Sequence, residues 1–157
     1  MESVAHFLYL TNVILCAVLA GYLLSYVITL GAYFTHMLRS GGLEKLQQSY
    51  APFRAGSNVK LLYGTCYLVQ LVVSVVSLLL NLSRPLPAQV YAVAVLPIFL
   101  TVHVATGFGT VEEKMVSGGA LTQQEIDRYT KLNRPLHLFY AALYVISAAW
   151  LITALAR

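Results

Sequence analysis

Apolar residues in this chain neither alternate nor keep to a narrow helical stripe. They fall into four blocks, at about residues 4–38, 59–82, 87–110 and 135–156. A helix rises about 1.5 Å per residue, so roughly 20 residues cross about 30 Å of hydrocarbon, and each block is long enough. Lipid offers backbone groups no hydrogen-bond partners, so spans without strand alternation are expected to be helical. The pattern predicts an all-α, polytopic membrane protein with four transmembrane helices in one bundle, a single domain over residues 1–157. No internal repeat or low-complexity linker marks a second domain. The first block is longer than a bilayer requires, which predicts tilt or projection. It reads as a span rather than a leader, because no positive region precedes it and Glu2 follows the first methionine.

Composition agrees: 59% of the residues are apolar and only 10% charged, against about 25% charged in soluble domains. The cations set a topology. Arg39, Lys45 and Arg54 lie in the first connection with Lys60 at its edge, and Lys114, Arg128 and Lys131 lie in the third with Arg134 at its edge. The middle connection has Arg84, the N-terminus none and the C-terminus Arg157. The positive-inside rule therefore predicts that the first and third connections are cytoplasmic and both termini outside, and the expected location is the cytoplasmic (inner) membrane. The net charge of +4 then reflects topology and contact with the lipid bilayer, and no aromatic-basic motif points to a nucleic-acid partner. Cys16 and Cys66 are expected in opposite halves of the membrane, unbonded and acting as small buried residues.

Both cytoplasmic connections carry helix signals. "RSGGLEK" ends the first span, with Gly41 and Gly42 available for a left-handed cap, and Leu43 to Tyr50 predicts a short interfacial helix before Pro52. In "LTQQEIDRYTKLN", Thr122 and Glu125 have capping-box spacing, predicting a brief surface helix that leads to Asn133. Pro135 then suits the first turn of the last span.

Sorted by helical face, polar and small residues form one stripe per span. These are Gly21, Ser25, Thr29, Ala32 and His36 on the first; Tyr63, Gln70, Ser74, Ser77 and Asn81 on the second. The third carries His103, Thr106, Gly107 and Thr110, reaching Glu113 or Lys114 if the helix continues, and the fourth Asn133, His137, Tyr140, Ala141, Tyr144 and Ala148. Helix packing accounts for most of these positions. The histidines ask for more, since an ionisable group in a span is costly without a partner. His36, His103 and His137 all fall in the cytoplasmic third, with His103 deepest, and Glu112, Glu113, Asn133 and Arg134 reach the same rim. His6 lies at the opposite surface.

Neutral imidazoles ligate metals and haem. No H-E-x-x-H, Glu-x-x-His or CxxCH motif is present, which removes support for zinc-protease, ferritin-type di-iron and covalent c-type haem sites. Haem b needs only one or two axial ligands and an apolar slot: His103 with His137 or His36 supplies the ligands, and Arg134 or Lys114 would pair with propionates. Tyr140 or Tyr144 would serve as wall or hydrogen-bond donor. Non-haem iron or copper would instead use His36, His103 and His137 with Glu112 or Glu113. The absence of any cofactor is the remaining alternative.

In these features the chain resembles the small four-helix bacterial membrane protoporphyrinogen oxidases, a haem-binding family. "AHFLYL" opens the first span with a histidine and "GAYFTH" closes it with another. "TVHVATGFGTVEEK" sets a histidine before a glycine and a charged helix end, and "RYTKLNRPLHLFY" matches the Asn and Pro entry to the last helix. The resemblance implies His6 as an axial ligand, His36 and His103 as further matched positions, and Asn133 with Pro135 as the shared entry. The family's lysine near the start of its third helix is Gln89 here, and its Trp and Leu-Pro-Arg features are absent. A fainter resemblance, through "GYLLSYVITLGAY" and "TKLN", is to a four-helix membrane family that includes anthrone oxygenases, and implies oxygen chemistry on a lipophilic aromatic substrate.

The expectation is a membrane protein with a histidine-bearing pocket near the cytoplasmic face. It would bind haem or another redox ligand and serve oxidation of a lipophilic small molecule or electron transfer, as a membrane oxidoreductase. The alternative is a non-catalytic accessory subunit of a larger membrane complex, or a homo-oligomer, whose stripes are helix interfaces. Transport finds less support, because there is neither a broken helix pair nor a repeat.

Overall fold

The computed structural model describes residues 2–83 and 86–155; Arg84, Ala156 and Arg157, used above for orientation and for the last span, lie outside the described residues. The regular structure is helical: α1 (Glu2–Ile28), α2 (Leu30–Arg39), α3 (Leu43–Gly56), α4 (Val59–Leu80), α5 (Leu86–Ala105), α6 (Phe108–Val116) and α7 (Gln123–Leu155). Four stretches are long and apolar enough to cross a membrane: Glu2–Arg39, Val59–Leu80, Leu86–Ala105 and Gln123–Leu155. The chain is a multi-pass helical membrane protein. α1 lies against α7 and α4, and α5 lies against the same two helices.

α4 shows which solvent this surface meets. Its fully buried residues are Gln70, Ser74 and Ser77, while Leu62, Leu68, Val72 and Leu79 are more than half exposed. In water that distribution would be inside out; in lipid it is the stable one, because only the protein interior can satisfy the polar side chains. α7 is the most enclosed element. Its stripe of Asn133, His137, Tyr140, Ala141, Tyr144 and Ala148 is buried as the periodicity predicts.

Three spans depart from their expected form. The first breaks at Thr29 (φ −113°, ψ −96°), separating α1 from α2. The buried positions keep one helical period through it, at Leu23, Val27, Gly31, Phe34 and Leu38, and Gly21, Ser25, Thr29 and His36 face outward rather than into the core. The buried face of α1 is instead Tyr9, Asn12, Cys16, Leu19, Ala20, Leu23 and Val27. The third span ends at Ala105, and α6 restarts after Gly107, whose φ of 64° is left-handed and favours glycine. The fourth starts twelve residues before Pro135, at Gln123, so the surface helix and the span are one element and Pro135 is interior to it. The capping box forms as its spacing predicts: the Thr122 N–H donates to Glu125 Oε2 at 2.8 Å, and the Glu125 N–H to Thr122 Oγ1 at 3.3 Å. α3 also runs past its expected end, through Pro52 to Gly56, and Gly41 takes the left-handed conformation (φ 73°).

The first and third connections meet at one end. The Gln47 amide of α3 donates to the Met115 and Gly119 carbonyls, at 3.2 and 2.8 Å. Asn133 ties α7 across the break in the first span: its Nδ2 donates to the Gly31 carbonyl at 2.9 Å and to Thr35 Oγ1 at 3.1 Å, and its Oδ1 accepts from Tyr26 at 3.1 Å. Cys16 and Cys66 are both free thiols, Cys16 buried and Cys66 partly so.

Asn133→Leu removes three hydrogen bonds that hold α7 to α1 and α2, so a loss of about 1–3 kcal/mol is expected, read as a lower unfolding midpoint in detergent. Asn58→Ala, at an exposed α4 end where the side chain caps nothing, is expected to leave that midpoint unchanged.

Candidate functional site

The breaks in the first and third spans open a cavity of about 390 Å³ at the end where the two connections meet. Aromatic rings are the largest group in its wall, among them Tyr22, Tyr26, Tyr63, Tyr67 and Phe99. Its polar groups are His103, His137, Glu112 and Glu113, with Arg54 and Lys60 beside them.

The glycines after α5 decide where His103 sits. His103 lies in the last turn of α5, two residues before the helix ends, not two turns inside it. A Cβ at Gly109 would come within 2.6 Å of His103 Cδ2 and 2.7 Å of Nε2, so glycine here leaves the ring its place and any larger residue would shift it. The reversal at Gly107 then brings Glu112 Oε2 to 3.8 Å from His103 Nε2. Phe99 and Phe108 meet the imidazole edge-on, at 5.7 and 5.5 Å between centroids. His103 Nδ1 is buried without a partner.

His137 is held differently. Its Nδ1 is 2.7 Å from the carbonyl of Asn133, one helical turn back. A carbonyl only accepts, so Nδ1 carries the proton and Nε2 keeps its lone pair. Tyr26 lies over the ring, 4.2 Å between centroids and tilted by 35°. The side chain therefore presents a neutral imidazole of fixed tautomer in the cavity wall.

Tyr26 connects the two halves of the site. Its hydroxyl lies 3.4 Å from Glu112 Oε1, 3.1 Å from Asn133 Oδ1 and 3.1 Å from the Tyr129 hydroxyl. A Cβ at Gly31 would come within 2.8 Å of the Tyr26 ring, so glycine at the start of α2 makes room for it. The two glutamates sit in opposite environments. Burial pushes Glu112 up to about 7, against the hydrogen bond from Tyr26 and the charge of Arg54, with Glu113 adding to the rise. Glu113 is exposed and held below the usual carboxylate range, chiefly by hydrogen bonds from Arg54 at 2.7 Å and Lys60 at 3.2 Å.

Of the residues singled out in the sequence, His103, His137, Glu112 and Glu113 come together on the cavity wall. Tyr140 and Tyr144 stand behind it: Tyr140 packs on Phe99 at 4.1 Å and Tyr144 near Tyr67 at 6.2 Å. His36 and Arg134 are exposed and line no part of it. His6 lies twenty residues before Tyr26 on α1, roughly 30 Å away along the axis. The expected set of three histidines with a glutamate is not assembled. Among the described residues no three His, Cys, Asp or Glu side chains are grouped to hold a metal ion. Tyr26, Arg54 and Lys60 were not foreseen as site residues. For Tyr26 a signal existed in the Tyr22/Tyr26 spacing, but Arg54 and Lys60 are brought in by a contact between two connections.

Fold and site together describe a helical membrane protein with an aromatic, acid- and imidazole-bearing cavity at one end. No protein-family model, curated protein or solved structure matches the chain.

Between the ordinary glutamate range near 4.5 and about 7, the folded protein keeps a proton on Glu112 that the unfolded chain has released. Stability is therefore expected to fall as pH rises through that window and to level off above it. The protonated-carboxyl infrared band should disappear with a midpoint near 7 and be missing from Glu112→Gln.

Proposed function

We propose that this is an inner-membrane protein, with its cavity at the cytoplasmic face and both termini outside. The cavity takes a flat lipophilic redox ligand, haem b first, and serves oxidation of a lipophilic substrate or electron transfer. The observation that carries the reading is His137: its Nδ1–H is committed to the Asn133 carbonyl, so Nε2 is a neutral donor atom in an aromatic-walled cavity. Metal-binding histidines are held in this way, with the second ring nitrogen bonded to a backbone carbonyl.

Haem, when bound, supplies a one-electron couple and an iron that accepts an imidazole nitrogen. The chain's own groups divide the remaining work. His137 offers the ligand atom, and the Asn133 carbonyl fixes its tautomer. The rings of Tyr26, Tyr67 and Phe99 provide apolar faces for a planar group. Glu112 and His103 hold or pass a proton beside it, since a carboxyl with a midpoint of about 7 exchanges its proton readily at neutral pH. Arg54 and Lys60 take the anion-pairing role that the sequence suggested for Arg134 or Lys114. The reading keeps the chemistry implied by the protoporphyrinogen-oxidase resemblance, replaces the His6 ligand that the resemblance implies with His137, and turns His103, the first ligand expected from the sequence, to holding a proton. The 390 Å³ volume lies within the range of small-molecule sites, about 300–1,000 Å³.

The purified, detergent-solubilised protein is expected to show a Soret band that shifts with reductant, together with iron. His137→Ala should lose both and His36→Ala should keep them. Gly109→Ala, which forces the His103 ring to move, should weaken ligand retention without unfolding the chain. A protein with no Soret band, no iron and no copper overturns the redox reading and leaves the accessory-subunit reading in its place.

A further inference from the structure

The polar groups of this molecule do not stop at the cavity. Tyr63 and Tyr67 of α4 line its wall, and the same face continues through Gln70, Ser74 and Ser77 to Asn81, all buried. From Tyr63 to Asn81 is eighteen residues, roughly 27 Å of helix and nearly the thickness of the hydrocarbon. The other spans join the same line. α7 supplies His137, Tyr140, Tyr144 and Ser147, α1 supplies Asn12 and Cys16, and α5 supplies Gln89 at the far end.

Adjacent members are hydrogen-bonded in two stretches of this line. Ser74 donates to Asn12 Oδ1 at 2.6 Å, and Gln70 Nε2 lies 2.7 Å from Ser74 Oγ. Cys16 Sγ is 3.4 Å from Ser147 Oγ and 3.5 Å from Gln70 Nε2. At the far end, Asn81 Nδ2 donates to the Ala5 carbonyl and Gln89 Nε2 to the Asn81 carbonyl, both at 2.9 Å.

A second observation points in the same direction. Among the described residues, seven buried side-chain nitrogen or oxygen atoms have no hydrogen-bond partner: His103 Nδ1, the Tyr140 and Tyr144 hydroxyls, Gln70 Oε1, Asn12 Nδ2, Ser77 Oγ and Gln89 Oε1. All seven lie on this one line, from the cavity wall to the other end of the bundle. Turning the amide of Asn12 or Gln70 over does not help, since it exchanges one unpaired atom for the other. Leaving such a group unpaired costs about 1–3 kcal/mol. Buried polar groups of this kind are satisfied by internal waters, each making about three hydrogen bonds. The groups named are amides, hydroxyls, a thiol and, at the cavity end, imidazoles. None of the groups named on this line beyond the cavity carries a formal charge to replace an ion's hydration shell, whereas hydroxyls and waters both donate and accept and so relay protons.

We propose that this line of side chains, completed by internal waters, is a proton path joining the membrane surface at Asn81 to the cavity wall at His103 and Glu112. Each hop moves one proton between hydrogen-bonded oxygens, the acceptor releasing another onward, so no bond is made or lost overall. The path requires no ligand in the cavity and stands apart from the identity of that ligand.

The test is proton entry into proteoliposomes holding the full chain, an entrapped pH dye and an imposed potassium diffusion potential. Wild-type protein is expected to acidify the lumen faster than protein-free vesicles. Gln70→Leu and Ser77→Ala should return the rate to the vesicle background, while Thr65→Val, exposed on the outer face of α4, should leave it at the wild-type level. Helical circular dichroism and a monodisperse elution profile confirm folding; if Gln70→Leu fails them, Ser77→Ala decides. Wild-type protein that is folded and no faster than empty vesicles overturns the proposal, as does a flux that Ser77→Ala leaves unchanged.

Discussion

A polar side chain that enters hydrocarbon has to find its partners inside the protein, and the arrangement of this molecule follows from that requirement. α4 turns Gln70, Ser74 and Ser77 inward and gives its leucines and valines to the outside. α1 answers with Asn12 and Cys16, and α7 with Ser147. Hydrophobic burial, which organises a water-soluble core, contributes little between helices already surrounded by apolar lipid. Each such contact is modest, about 0.6–2 kcal/mol, but the contacts are directional and so fix which faces meet.

The cavity exists because two spans are interrupted at the same end. Thr29 ends α1, and Gly107 ends the third span by adopting a backbone conformation that favours glycine. Each interruption is followed two residues later by a glycine at close quarters with a ring: Gly31 by Tyr26, Gly109 by His103. Asn133 then reaches across from α7 and locks the first interruption. A straight helix through Gly107 would set Glu112 nine residues along the axis from His103, roughly 13 Å away, instead of beside it.

Much of this was legible in the chain. The four spans followed from length and polarity, the α4 and α7 stripes from their spacing, and the capping box of Thr122 and Glu125 from three residues' separation. The first stripe failed because it was drawn on the outward face: Gly21, Ser25 and His36 are exposed, while the buried face runs through Cys16, Leu23 and Val27 to Gly31, Phe34 and Leu38. The depth assigned to His103 failed because the third span was carried through Gly107. Proline misled at Pro135, where a helix start was expected and the helix runs on, because packing over a long enclosed face outweighs one missing backbone bond.

By itself, then, the sequence determined the solvent of this protein, the number of its spans and the inward face of two of them, since hydropathy and helical period are local properties. Only the tertiary structure decided that His103, His137 and Glu112 share a cavity with Arg54 and Lys60 while His6 and His36 do not. That grouping depends on backbone interruptions and on contacts between connections far apart in the chain, and neither has a period to read.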